Sequence, residues 1–239
     1  MAFLSFPPPS HWDSEGFVTV GGPLTPGRLV EAYRQGIFPW PIDATDAGLI
    51  WWSPNPRAVL FPGDLHVPRR LARTLRKAPF RITTDIAFAA VMDACGSVGD
   101  RKDATWITPA IQAAYLTLHQ DGIAHSMEAW QGEQLVGGLY GICLGSMFAG
   151  ESMFSLVRDA SKVVFVTLVQ MLAAQGCTLF DVQMATDHLQ QFGIVEMPRS
   201  TYRRLLAESL THPACWPQPV PGVPGQGAAA SPAKSLPGG

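Results

Sequence analysis

Charged residues are few in this sequence. They make up 15% of its 239 residues, with 17 Lys and Arg against 19 Asp and Glu. A net charge of −2 excludes a globally basic coat for nucleic acid, although it leaves room for a local basic patch. Cysteine is scarcer still. Cys95, Cys143, Cys177 and Cys215 lie 34 to 48 residues apart and form no CxxC pair. That excludes a zinc knuckle and a dithiol motif, and it suits a reducing compartment. No apolar run reaches the roughly 18 residues that a membrane-spanning helix requires. The opening MAFLSFPPPSHW has no basic start, no adequate apolar core and no small-residue cleavage site, so no secretory signal is expected. These absences predict a soluble cytoplasmic protein. A Walker loop, a G-x-G-x-x-G turn, a G-x-S-x-G elbow, metal-ligand spacing and internal repeats are missing too.

What remains is apolar and well punctuated. Hydrophobic residues form 47% of the chain, enough for a sizeable core in one large or two small domains. Residues 1–24, with Pro7, Pro8, Pro9, Gly21, Gly22 and Pro23, read as irregular. Thr25-Pro26 is a cap followed by proline at the first helical position, and Leu29, Val30 and Tyr33 mark one face of a short helix ending at Gly36. Then come GIFPWP and LIWWSPNPR. Trp40, Trp51 and Trp52 fall within 13 residues, beside Pro39, Pro41, Pro54 and Pro56. Such a rigid aromatic wall serves either as a small core in place of secondary structure or as a stacking platform for a base or sugar.

The segment RRLARTLRKA follows Pro68. Helical spacing gathers Arg69, Arg70, Arg73, Arg76 and Lys77 within about a third of the circumference. Leu71, Leu75 and Ala78 fall opposite. With Arg81, six of the 17 basic residues lie within 13 positions, and no acid is among them. A solvated face mixes in acids, because pairing at i,i+4 favours it. An unmixed face points to phosphate, such as one end of an RNA.

Residues 80–84 fit a strand, and Asp85 is placed to cap a helix carrying Phe88, Val91, Met92 and Cys95 up to Gly96. Thr108-Pro109 starts another helix, with Ile111, Ala114, Tyr115 and Leu118 on one stripe up to Gly122. AHSMEAW and QLVGGLYGI form a hairpin around Gln131-Gly132-Glu133, and SMFAGESMF is a third strand. Gly137, Gly138 and Gly141 imply a bulge or a close backbone approach. Helices over 161–175 and 199–210 flank the strand TLFDVQM, and the Pro, Gly, Ala and Ser from residue 213 predict a disordered tail. A mostly antiparallel sheet with helices packed on it is an α+β fold with room for a cleft where strands splay.

Two acids stand out because their strands are otherwise apolar. Asp181 and Gln183 share a face with Leu179, opposite Phe180 and Val182. Asp181 is either a strand-end acid facing water or a carboxylate that fixes a neighbouring polar group. Glu151 stands alone among apolar and small residues. Ser152 with His125 or His188 makes a poor hydrolase, since GES sits on a strand rather than an elbow. The α+β order suits acetyl-CoA-dependent transferases, but SLVRDASK lacks the glycines that wrap a pyrophosphate.

The ordered segments GIFPWP, WWSPNPRAVL, TWIT, AHSMEAW, LVGGLYG, FAGESMF and DVQMATDH resemble those of the bacterial leucyl/phenylalanyl-tRNA–protein transferases, over roughly residues 17–205. The chain departs from that family at Gln191-Phe192-Gly193, where Ser-Leu-Gly is usual. The resemblance implies a small N-terminal domain (1–56), an acetyltransferase-like (GNAT-like) mixed sheet flanked by helices (57–212) and a tail (213–239). It implies transfer of Leu, Phe or Met from aminoacyl-tRNA to the N-terminal Arg or Lys of acceptor proteins, as an N-end rule signal, without metal or coenzyme. A monomer is the default, and no membrane is involved. By position, Trp40 and Trp106 would sandwich the terminal adenosine, and Leu139 and Phe148 would line the acyl pocket. Arg69, Arg70, Arg73, Arg76 and Lys77 would hold the acceptor stem, and Glu151, Asp181 and Gln183 would be the polar site residues. The donor ester is already activated, so the enzyme needs only to orient two substrates and accept a proton. On that reading Asp181 polarises Gln183 by a hydrogen bond, the Gln183 carbonyl accepts the proton, and Glu151 binds the cationic acceptor. A coenzyme A acyltransferase and a non-catalytic binder of tRNA ends are the rival readings.

Overall fold

A computed structural model describes residues 5–41, 49–98 and 105–217. Two sheets carry the architecture. The smaller has the order β1-β3-β2, formed by β1 (Phe17–Val20), β2 (Phe38–Pro41) and β3 (Leu49–Trp52), all antiparallel. Between β1 and β2 lies α1 (Pro26–Arg34), whose first turn is capped by the Thr25 hydroxyl accepting from the Arg28 amide. Two sequence expectations change here. Part of the irregular opening is strand β1, and the tryptophan-rich segment is sheet rather than a substitute for it. Prolines fit because the strands are short and outermost positions need no full ladder.

The larger sheet begins at β4 (Arg57–Leu60). It continues with α2 (Arg69–Lys77), β5 (Arg81–Thr84), α3 (Phe88–Ser97), α4 (Pro109–Gln120), β6 (Ala124–Gln131), β7 (Gln134–Leu144) and β8 (Met147–Ser155). Then come α5 (Ala160–Ala174), β9 (Leu179–Gln183), α6 (Asp187–Gln190), β10 (Val195–Met197) and α7 (Arg199–Ser209). Its strand order is β10-β4-β9-β8-β7-β6-β5, and β8–β9 is the parallel pair, joined by the crossover through α5. The fold is mixed α+β. No helix among the described residues is long and apolar enough to cross a membrane.

The sheet separates two layers of core. Leu179 belongs to one buried cluster with Val59, Tyr140 and Tyr202, while Phe180 belongs to the other with Phe148, Phe165 and Leu139. The alternation expected along β9 therefore holds. The glycines of β7 are close approaches. A Cβ on Gly137 would sit 2.7 Å from that of Ala160, and one on Gly141 would sit 2.2 Å from the Ala149 carbonyl, beside a register shift at Tyr140/Gly141.

Three local expectations fail. Asp85 does not cap α3. Its backbone is left-handed, at φ 61°, and its carboxylate instead receives the Ser126 amide at 2.8 Å, His125 at 2.9 Å and the Trp216 indole at 2.9 Å. Ala78 is not on the buried face of α2; it is the left-handed C-cap and is exposed. The tail does not loosen at residue 213: Cys215 and Trp216 are buried, and the remainder from 218 lies outside the described residues, as does most of 97–104, which the sequence marks as a polar loop.

Candidate functional site

β9 is an interior strand, so Asp181 is wholly buried, which excludes the strand-end acid facing water. A buried carboxylate needs a partner. Arg57, on the neighbouring β4, supplies it in bidentate form, with Nε donating to Oδ1 at 2.8 Å and the terminal nitrogen to Oδ2 at 2.5 Å. Tyr202 of α7 donates to Oδ2 at 2.7 Å. The main-chain amide of Gln183 donates to Oδ1 at 2.9 Å. Gln183 has φ 66°, a conformation that L residues rarely hold without support, and this bond supports it.

Asp181 thus reaches Gln183 through the backbone. The side-chain amide of Gln183 turns away, and its nitrogen donates to Glu151 Oε1 at 2.9 Å. That leaves the carbonyl oxygen as the group Gln183 can offer to a substrate. Glu151 Oε2 accepts from the Tyr115 hydroxyl at 3.2 Å, and Tyr115 is hydrogen-bonded in turn to Tyr33. Burial pushes the Glu151 carboxyl up to about 7, against the opposing bonds from Tyr33 and Tyr115, and the Asp181 charge adds to the rise. A carboxyl in this range exchanges protons near neutrality.

An open cleft of about 820 Å³ joins these groups to the aromatic residues. Glu151, Gln183, Leu139, Trp40 and Trp106 all line it. The indoles of Trp40 and Trp106 are nearly parallel, 10° apart, with centroids separated by 6.2 Å. That lies within the range of an offset-stacked pair. Trp40 is 42% exposed whereas Trp51 is fully buried, so the tryptophan-rich segment is part core and part surface. Phe148 does not reach the cleft surface. It is fully buried and packs against Phe180, which does, at a ring distance of 5.3 Å. The basic residues Arg69, Arg70, Arg73, Arg76 and Lys77 lie on α2, which packs on α5 and buries Leu71. His125 commits both ring nitrogens, to Asp85 and to the Gly122 carbonyl, and so is no base for Ser152.

Comparison with known sequences decides the family. The sequence model of "Leucyl/phenylalanyl-tRNA protein transferase" matches residues 59–207, and that of the same family's N-terminal domain matches 22–55. The chain belongs to the leucyl/phenylalanyl-tRNA protein transferase family. A relative of that name from Stutzerimonas stutzeri is 49% identical over 213 residues, covering 88% of this chain and 93% of its own. One from Nitrosomonas eutropha is 49% identical over 201 residues, covering 84% and 85%. One from Anaeromyxobacter sp. (strain K) is 48% identical over 211 residues, covering 87% and 89%. The chain is accordingly an aminoacyl-tRNA–protein transferase.

Four residues of this transferase's polar network were invisible to motif reading. Arg57 stands alone in the apolar RAVL, as Asp181 does in LFDV, and two lone opposite charges on buried strands are a signal for pairing. Tyr33 and Tyr115 looked like apolar stripe positions, and Tyr202 fell unremarked in the helix expected over 199–210. A buried tyrosine still needs a partner for its hydroxyl, and that requirement is the only sequence hint.

Proposed function

We propose that this protein moves Leu, Phe or Met from aminoacyl-tRNA to the N-terminal Arg or Lys of an acceptor protein, in the cytoplasm and as a monomer. The observation that carries the reading is the joining, in one cleft, of two parallel indoles, apolar side chains and the carboxylate of Glu151 bonded to Gln183. On this reading the terminal adenine of the tRNA lies between Trp40 and Trp106, and the donor side chain enters the apolar end past Leu139. The catalytic domain is acetyltransferase-like from about residue 57 to 212, with the smaller sheet in a separate N-terminal domain, 1–56; the break between the two matched family segments, after 55, supports that division.

The acceptor amine attacks the ester carbonyl carbon, the carbon–oxygen bond to the ribose breaks, and a C–N bond forms. The amine nitrogen sheds a proton, and the departing ribose oxygen takes one up. Glu151 is the proton acceptor and returns the proton to the leaving oxygen. This departs from a base role for Gln183. All the bonds to Asp181 come from Arg57, Tyr202 and a backbone amide, so it holds the Gln183 main chain in place; the Gln183 carbonyl aligns the amine by accepting an N–H bond. A glutamine carbonyl is a weak base, and a carboxylate with its proton affinity matched to the medium is a good one.

Labelled Leu or Phe on charged tRNA, offered with peptides that start with Arg or with Gly, tests the function. Label on the Arg peptide alone is the expected result. No label on either peptide overturns it. The cations of α2 are the proposed seat of the acceptor stem. Arg73→Glu with Arg76→Glu is expected to weaken tRNA binding and to flatten its salt dependence by nearly one log-log slope unit for each phosphate no longer neutralised. Equal affinity and slope in a filter-binding titration would make α2 a merely solvated face.

A further inference from the structure

We infer that Trp216, on the segment that follows the last helix, fixes the depth of the acyl pocket by backing Phe148, and so helps to set the preference among donor amino acids. The inference rests on the transferase reading above. It starts from a layering of rings. Phe180 lines the cleft. Phe148 packs against it, with ring centroids 5.3 Å apart, and has no exposed surface. Trp216 lies against Phe148, with centroids 5.8 Å apart and planes within 19°.

Phe148 has little freedom in the other directions. Any side chain on Gly141 would fall 2.6 Å from its ring, so β7 closes tightly against it. Trp216 therefore occupies a side toward which Phe148 could otherwise retreat.

Trp216 is fastened rather than merely in contact. Its indole nitrogen donates to Asp85 Oδ2 at 2.9 Å, and its ring stacks on His125 at 4.2 Å and 13°. The preceding residue is tied down as well, since the Cys215 amide donates to the Gly145 carbonyl at 3.0 Å. The left-handed backbone of Asp85 now has a purpose: it turns a carboxylate toward the indole as well as toward β6. The sequence model of the family ends at residue 207, short of this segment.

An apolar pocket ranks apolar donors by volume. With Trp216 present, Phe148 cannot move back, so the Phe180 ring that lines the cleft keeps its support. With a small residue at 216, Phe148 gains space and Phe180 can follow it, so the pocket deepens for a bulky side chain without improving for a short one. Trp216 acts through Phe148 and is a positioning residue.

The test compares kcat/KM for Leu-, Phe- and Trp-charged tRNA on one Arg-starting peptide, in the wild type and in Trp216→Ala, Trp216→Leu and Trp216→Phe. Trp216→Ala is expected to raise the Phe-to-Leu ratio about tenfold, the lower end of what one methylene achieves in such pockets, and to admit Trp measurably. Trp216→Leu is expected to give a smaller rise in the same direction. Trp216→Phe keeps a ring behind Phe148 and is expected to restore the wild-type ratio to within about twofold. If Trp216→Ala does not fold, judged by circular dichroism, Trp216→Leu decides. Equal loss for every donor makes Trp216 merely structural and overturns the inference, as does an unchanged ratio. A wild type that transfers nothing overturns the transferase reading instead, and the two failures are distinct.

Discussion

Arg57→Met is expected to lower the free energy of unfolding by about 3–5 kcal/mol, read from urea midpoints at constant slope. The reason is what stays behind. Asp181 remains wholly buried, with its charge and with only Tyr202 and the Gln183 amide to satisfy it. A charge stranded in this way costs more than the ion pair ever contributed. Arg57 also donates to the Gly36 carbonyl at 3.0 Å and lies over the Tyr202 ring at 4.5 Å, so its loss loosens α1 and α7 together. Removing both charges separates the two roles. Arg57→Met with Asp181→Leu should recover much of the stability, since buried pairs are often replaceable by apolar residues. It should not recover transfer, because the left-handed Gln183 loses the carboxylate that holds its amide. A double variant as active as the wild type would show that Asp181 plays no part in aligning Gln183.

Glu151→Gln is expected to lower kcat by about 10²–10⁴-fold, the usual range for loss of a positioned base. The pH profile gives the sharper reading. A base works only when deprotonated, so with a carboxyl raised to about 7 the wild-type rate climbs as pH rises through 7. A second rise belongs to the acceptor amine, which loses its own proton near pH ~8. In Glu151→Gln the lower rise disappears and the upper one stays. The same proton has a sign in stability. The ordinary value for Glu151 is 4.5, so between 4.5 and about 7 the folded protein holds a proton that the unfolded chain has released. The contribution of this group to stability is therefore full at acid pH and is lost as pH rises across that window. If the lower rise survives in Glu151→Gln, the proton goes elsewhere.

Much of this arrangement was legible in the chain. Thr25-Pro26 and Thr108-Pro109 announced α1 and α4, because a hydroxyl cap followed by proline has few other uses, and both hydroxyls do accept the expected amide. Five basic residues with no acid announced the cationic face of α2. Alternation in LFDVQ announced the two faces of β9. What failed has a common cause: each failure hung on a partner distant in sequence. Asp85 looked like a cap because caps are local; its actual partners are Ser126, His125 and Trp216. Strands β1 to β3 have four residues each and β2 holds two prolines, and only their pairing with one another makes them strands. The tail looked disordered by composition, which cannot see that Cys215 and Trp216 fill a gap beside β6 and β7. Asp181 reached Gln183 through the main chain because spacing on a strand says which side chains share a face, not which atoms meet.

The span between Arg57 and Asp181, 124 residues, also says something about how the protein is made. A ribosome adds residues at about 5–20 per second, so on the order of ten seconds separate the two partners. Through that interval β4 has no neighbour, since β9 and β10, which flank it, both emerge late. Its four residues, all buried in the finished protein, must wait as a bare strand carrying an unmatched cation. Tyr202 comes later still. The newborn chain therefore cannot set β4 into its sheet until almost the whole of it has left the exit tunnel, and a nascent chain stalled before residue 181 would expose β4 to whatever holds unpaired strands in the cell.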